Sequence, residues 1–193
     1  VASCAVYYLR VQTKDIAGNW SSPITLWILK YDGTPPTNPV APANPQCVAT
    51  SDVWGTCNDA NFTWSGAADA CSGVSGYHVY WGTVSNADPS TWTTNSSSDP
   101  DLIASGSTYY LRVKTKDNVG LMSSPATLFV LKYDGTAPTG VITIAGGAIY
   151  ATAPGITLSL SVTDAASGVN QMQIGSDASL SGALWETYDT VKA

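Results

Sequence analysis

Charge is scarce in this chain. Only 11% of its 193 residues are Asp, Glu, Lys or Arg, and Glu186 and His78 are each the single residue of their type. Glu, Lys, Arg, Gln and Leu favour exposed helices, and nearly all of them are in short supply, which argues against a helical protein. No cluster of Lys or Arg is present to displace counterions from phosphates, and the net charge is −6, so nucleic acid is excluded as a partner. No apolar run approaches the roughly 20 residues of a membrane-crossing helix, and no membrane insertion is expected. No CxxC pair occurs among Cys4, Cys47, Cys57 and Cys71, and one His leaves a zinc site short of ligands. The chain opens at Val1 without Met or leader, so a processed chain or a fragment is expected. "VASC" at the start imitates a lipoprotein cleavage box but lacks the apolar stretch before it, and reads as coincidence.

Groups for catalysis are equally thin. Any Ser–His–Asp or Cys–His arrangement must use His78, which sits mid-strand in "GYHVYWG" and should point outward beside Tyr80. The Asp side chains and Glu186 lie almost entirely in turn sequences, where bonding to the local backbone explains them. The expectation is a non-enzyme with no cofactor. Calcium is the one cation the loops leave open, through Asp15, Asp32, Asp69, Asp117, Asp134 and Asp164, although Asp32 and Asp134 each stand alone in their linker. The sequons at Asn19, Asn61 and Asn95 offer glycan acceptors only in a host that uses them.

Val, Ile, Thr, Tyr and Trp are plentiful instead, and they suit pleated strands. The chain also repeats itself. Residues Tyr7–Thr37 and Tyr109–Thr139, 102 residues apart, are identical at 22 of 31 positions. That spacing is too long for a solenoid repeat and right for one β-sandwich. In "STYYLRVKTKD", Tyr109, Leu111, Val113 and Thr115 alternate with Tyr110, Arg112, Lys114 and Lys116, giving a strand with one apolar and one polar face. "KDIAG" and "KDNVG" follow as tight turns, with Gly18 and Gly120 at candidate left-handed positions. The next strands, "ITLWILKY" and "ATLFVLKY", are apolar on both faces. Trp27, Leu29 and Tyr31, with their counterparts Phe129, Leu131 and Tyr133, form a surplus apolar face. It either stacks on the preceding strand or contacts a neighbouring domain or chain. "DGTPPTNP" and "DGTAPTG" then read as stiff linkers. "DACSGV" and "DAASGV" align, matching Asp69, Ser72 and Gly73 to Asp164, Ser167 and Gly168.

Trp64 in "NFTWSG", Tyr77 and Trp81 in "GYHVYWG", and "GSTYYLRVKTKDNVGLMSSP" together resemble fibronectin type III domains, and more narrowly the Ig-like repeats of large bacterial surface and secreted proteins. The resemblance implies an all-β fold of tandem Ig-like sandwiches. It makes Tyr7 and Tyr109 the corner tyrosines and Trp64 the core tryptophan, and it implies an extracellular or cell-surface setting. The domains it implies are residues 1–34 as the last strands of a first sandwich, 35–136 as a complete one, and 137–193 as the early strands of a third. Either the partial sandwiches are a window on a longer array, or successive copies complete one another head to tail as a filament. The four cysteines either form two disulfides, in one of three connectivities, or stay as buried thiols; Cys47 and Cys57, ten residues apart across a Gly/Asn/Asp-rich loop, are the preferred pair. The expected role is a spacer or fibre segment whose partners are neighbouring domains or further copies. The alternative is an adhesin or carbohydrate-binding accessory module, with a glycan or surface ligand met by exposed aromatics such as Trp20 or Trp92.

Overall fold

The computed structural model describes residues 1–40, 47, 49–101, 103–176 and 179–192. Among them there is no α-helix. In chain order the strands are β1 (Ala5–Val11), β2 (Ile24–Tyr31), β3 (Trp54–Gly55), β4 (Phe62–Thr63), β5 (Val74–Gly82), β6 (Thr91–Thr93) and β7 (Ser97–Ser98), then β8 (Ser107–Asp117), β9 (Ala126–Tyr133), β10 (Thr139–Ile144), β11 (Leu158–Thr163), β12 (Gln171–Met172), β13 (Glu186–Thr187) and β14 (Val191–Lys192). Two compact units are present. One comprises Val1–Val48, Asp59–Asp101 and Tyr109–Val130; the other comprises Ala49–Asn58, Leu102–Thr108 and Leu131–Ala193.

In the first unit, β1 and β2 form an antiparallel hairpin running from Ala5↔Tyr31 to Val11↔Ile24, with an irregularity between Leu9 and Arg10. Its turn closes where Asp15 accepts the Gly18 N–H and Gly18 takes φ 100°, a conformation glycine adopts without a Cβ clash. The repeat of this hairpin, β8 and β9, is built into a sandwich. There β5 lies between β6 and β8, with Val79 opposite Val113 and Tyr77 opposite Thr115. The period of two read from "STYYLRVKTKD" is realised: Leu111, Val113, Thr115 and Asp117 are buried, and the residues between them are half-buried. Strand β4 pairs with β7 as the facing sheet. Its Phe62 sits 5.3 Å from the Trp81 ring and 5.2 Å from Phe129, and Trp64 meets Tyr77 edge-on at 5.6 Å. Phe62 is fully buried, and truncating such a residue to Ala typically costs about 3–5 kcal/mol.

In the second unit, β3 runs parallel to the end of β9 through Trp54↔Lys132 and Gly55↔Tyr133. Strands β10, β11 and β14 form one sheet in that order, and β12 and β13 form a short ladder. The strand order β3-β9-β8-β5-β6, with β4-β7 as a separate pair, is that of an Ig-like sandwich.

Candidate functional site: one joint built twice

The linker after each repeated hairpin is where polar side chains converge. In the first unit the chain leaves β2 at Asp32–Gly33–Thr34. Ser3, just before β1, lies beside it. The Ser3 hydroxyl donates to Asp32 Oδ1 (3.2 Å) and accepts from the Gly33 N–H (2.9 Å) and the Thr34 hydroxyl (3.0 Å), using its single donor and both lone pairs. Asp32 Oδ1 also accepts the Thr34 N–H (3.0 Å), an Asx turn that fixes the linker's direction. A Cβ at Gly33 would lie 2.6 Å from the Tyr31 hydroxyl, so any larger residue there would displace the Tyr31 ring.

The other oxygen of Asp32 reaches across to the sandwich. Asp32 Oδ2 accepts the Ser72 N–H (3.2 Å) in the "DACSG" loop. That loop is shaped by Asp69, whose Oδ1 accepts N–H bonds from Cys71 (3.1 Å), Ser72 (2.8 Å) and Gly73 (2.8 Å). The loop is tied in turn to the "KDNVG" turn, because the Asn118 side chain donates to the carbonyls of Ser72 (2.7 Å) and Gly73 (3.2 Å). Asp117 Oδ1 caps that turn by accepting N–H bonds from Val119, Gly120 and Leu121. Hydrogen bonding, from the Ser72 side chain first and then the Thr34 N–H and Ser3, holds the Asp32 carboxyl below its ordinary value. Finally, Cys4 and Cys71 are joined by a disulfide, with Cα atoms 4.7 Å apart. Hairpin and sandwich are covalently locked at this point.

The second unit contains the same joint at the next linker. Ser105 donates to Asp134 Oδ1 (3.3 Å), Gly135 N–H donates to Ser105 (2.8 Å), Thr136 N–H donates to Asp134 Oδ1 (3.0 Å), and the Ser105 and Thr136 hydroxyls are 3.0 Å apart. Asp134 Oδ2 accepts the Ser167 N–H (3.0 Å). Asp164 Oδ1 shapes the following "DAASG" loop through the N–H groups of Ala166 and Gly168. The Ser167 side chain, followed by the Thr136 N–H, lowers the Asp134 carboxyl to about 2. Here the disulfide is replaced by Gly106 and Ala166: a Cβ on Gly106 would lie 3.9 Å from the Ala166 Cβ. The backbone is otherwise alike, with φ 63° at Cys4 and 77° at Gly106.

Several residues singled out by the sequence fall elsewhere. Gly120 takes φ 101°, matching Gly18. Trp64 and Tyr77 are buried, and Tyr109 stacks on Trp81 with ring centroids 5.5 Å apart. The Tyr7 hydroxyl accepts the Ala2 N–H at 2.7 Å. Trp27, Leu29 and Tyr31 are exposed, whereas Phe129 and Leu131 lie in the interior and Tyr133 is half-buried. On β9 the surplus apolar face is therefore core, since Phe62 covers Phe129. Cys47 and Cys57 are disulfide-bonded too, and no described cysteine is free. His78 packs on Trp92 with its Nδ1 3.2 Å from the Ser90 carbonyl oxygen. The joint itself went unpredicted: Asp32 is the single acid of its linker, and it is Asp69 and Asp117 of two other loops that come near it. Its signal was present: where Cys4 becomes Gly106 in one aligned segment, Cys71 becomes Ala166 in the other.

No family model matches the chain. Over 127 residues it is 33% identical to Exoglucanase B of Cellulomonas fimi, a match covering 64% of this chain. The match takes in 11% of that protein's own length. Among solved structures it is similar to the chicken CNTN1 FN1-FN3 domains, with TM-score 0.30 and 15% identity over 98% of this chain and 66% of that one. By its residue pattern and strand order, the chain is an all-β protein that resembles fibronectin type III and Ig-like sandwiches.

Proposed function

We propose that this chain is a non-enzymatic spacer segment of an extracellular protein, in which successive sandwiches are linked through a repeated polar joint. The observation that carries the reading is the duplication of the Ser–Asp–Gly–Thr network, bond for bond, at Ser3/Asp32 and Ser105/Asp134. The repeated network fixes the course of the chain at each linker, which suits a spacer. The disulfides fit an oxidising, extracellular setting. Residues 1–34, 35–136 and 137–193 are the successive domains on this reading. The bare apolar face of β1–β2, including Trp27 and Leu29, is what the remaining strands of the first sandwich cover, whether from the same polypeptide or from another copy.

Pulling the chain by its ends tests the role. With Cys4–Cys71 intact, the 67-residue separation it closes is shielded from tension. Mutating the pair to Ser should therefore add about 230 Å of released contour, at roughly 3.4 Å per residue. A chain that extends smoothly, without discrete unfolding steps, contradicts the spacer reading. Light scattering on the same sample separates a monomer from a head-to-tail filament.

The similarity to an exoglucanase favours a second reading, an accessory carbohydrate-binding module. Trp20 and Trp92 are exposed enough to stack on sugars. Glycan-array binding that disappears in W20A/W92A would establish it.

A further inference from the structure

We propose that Asp32, Asp69 and Asp117 form a calcium site at the first joint. Each offers a carboxylate oxygen, and the three oxygens lie within 4.8 Å of one another. Calcium–oxygen distances are 2.3–2.6 Å, so two ligands on opposite sides of one ion stand about 4.8 Å apart. One ion can therefore be shared by all three.

Proximity of acids alone would carry little, but Asp117 adds an independent observation. The residue is 1% exposed. Its Oδ1 is satisfied by three backbone N–H groups. Its Oδ2 is fully buried and has no hydrogen-bond partner. A buried carboxylate oxygen left this way is costly unless a cation meets it. No described Lys or Arg does so, since the ion pairs present join Lys114 to Asp88, Lys132 to Asp52 and Lys192 to Glu186.

The neighbouring acid points to the same division of labour. All the hydrogen bonds to the Asp69 side chain go to Oδ1, leaving Oδ2 available. The N–H donors thus orient Asp69 and Asp117 through one oxygen apiece and leave the second for a metal.

The donor chemistry selects the ion. All three side chains supply hard oxygen ligands, and Cys4 and Cys71, the nearby sulfurs, are tied up in their disulfide, so a thiolate-binding metal such as zinc is disfavoured. Three loops far apart in sequence give an adaptable shell, completed by water or carbonyl oxygens. Calcium accepts this readily, whereas magnesium demands a near-ideal octahedron. Bound there, the ion would cross-link the linker, the "DACSG" loop and the "KDNVG" turn, a second lock beside the disulfide. The site goes beyond the spacer reading and does not depend on it.

The test is calorimetric titration of the intact, oxidised 193-residue chain with CaCl2 and, separately, MgCl2, repeated on D117N and D69N. Each Asn keeps an Oδ1 acceptor for the backbone N–H groups, and amide spectra confirm the fold of each variant. The expected result is one saturable calcium site with Kd on the order of 10⁻⁴–10⁻³ M, the range of extracellular calcium modules. Magnesium should bind at least about tenfold more weakly, and either variant should lose calcium affinity by a similar factor. If D117N does not fold, D69N decides alone. Absence of saturable calcium binding, equal binding of magnesium, or wild-type affinity in a folded variant overturns the proposal.

Discussion

The two joints share a backbone and a polar network and differ in one device. At the first, Cys4 and Cys71 are bonded; at the second, Gly106 and Ala166 occupy the same places and no covalent link joins them. The Ser–Asp–Gly–Thr network is therefore sufficient to form the joint, and the disulfide is an addition to it. The positive φ at Cys4 supports this order of events. That conformation suits glycine, as found at Gly106, and a Cys placed there accepts strain of about 1–2 kcal/mol in exchange for the cross-link.

The comparison can be broken from either side. The largest effect is expected from converting the first joint into the second with C4G/C71A. A bond closing 67 residues contributes about 4 kcal/mol in the chain-entropy model. Denaturant melts should show a net loss of about 2–3 kcal/mol at the first joint, once the relieved φ strain is subtracted, while the second is unchanged. The converse change, G106C/A166C, should oxidise spontaneously, because its backbone already has the geometry of the bonded copy. Thiol titration should find no free sulfhydryl beyond the wild-type level, and stability should rise by about 2–4 kcal/mol once the φ strain is subtracted. Free thiols in the folded variant would show that the joints are not equivalent.

Smaller effects sharpen the comparison. Removing the central hydroxyl with S105A should cost about 0.5–1.5 kcal/mol and speed amide exchange at Gly135. S3A should raise exchange at Gly33 less, since the disulfide still holds the strands around it. The smallest effect is that of pH. Asp134 has its carboxyl lowered from 3.8 to about 2 by Ser167, Thr136 and Ser105. A depressed carboxyl contributes stability that is fully present above its unfolded value and lost as pH falls through the folded one. Stability of the second joint should therefore be flat above pH ~4 and decline toward pH ~2. D134N should remove that acid-dependent component.

Much of the sandwich was legible because its causes are local. The alternation around Leu111 and Val113, the turn glycines and the 102-residue repeat each need only a short window of sequence or a self-alignment. What covers the apolar face of β9 was left open because burial of Phe129 involves Phe62, some 67 positions earlier, and no local pattern reports that contact. The joint escaped for the same reason. Asp32, Asp69 and Asp117 each look like ordinary turn aspartates, and each does cap its own turn; convergence appears only when three loops meet. The paired exchange of two cysteines for Gly106 and Ala166 was the one trace visible beforehand, and it becomes informative once the two loops are known to touch.

Backbone ¹⁵N relaxation on the oxidised chain tests the central claim most directly. If the joint is a fixed structural element, residues of β1 and β2 will share the order parameters of β5 and β8, near 0.85 as in rigid backbone. They will also share the correlation time of β5 and β8. In C4G/C71A both should stay close to these values, because the hydrogen-bond network persists. A hairpin that tumbles independently of β5 and β8 in the wild-type chain would contradict the account.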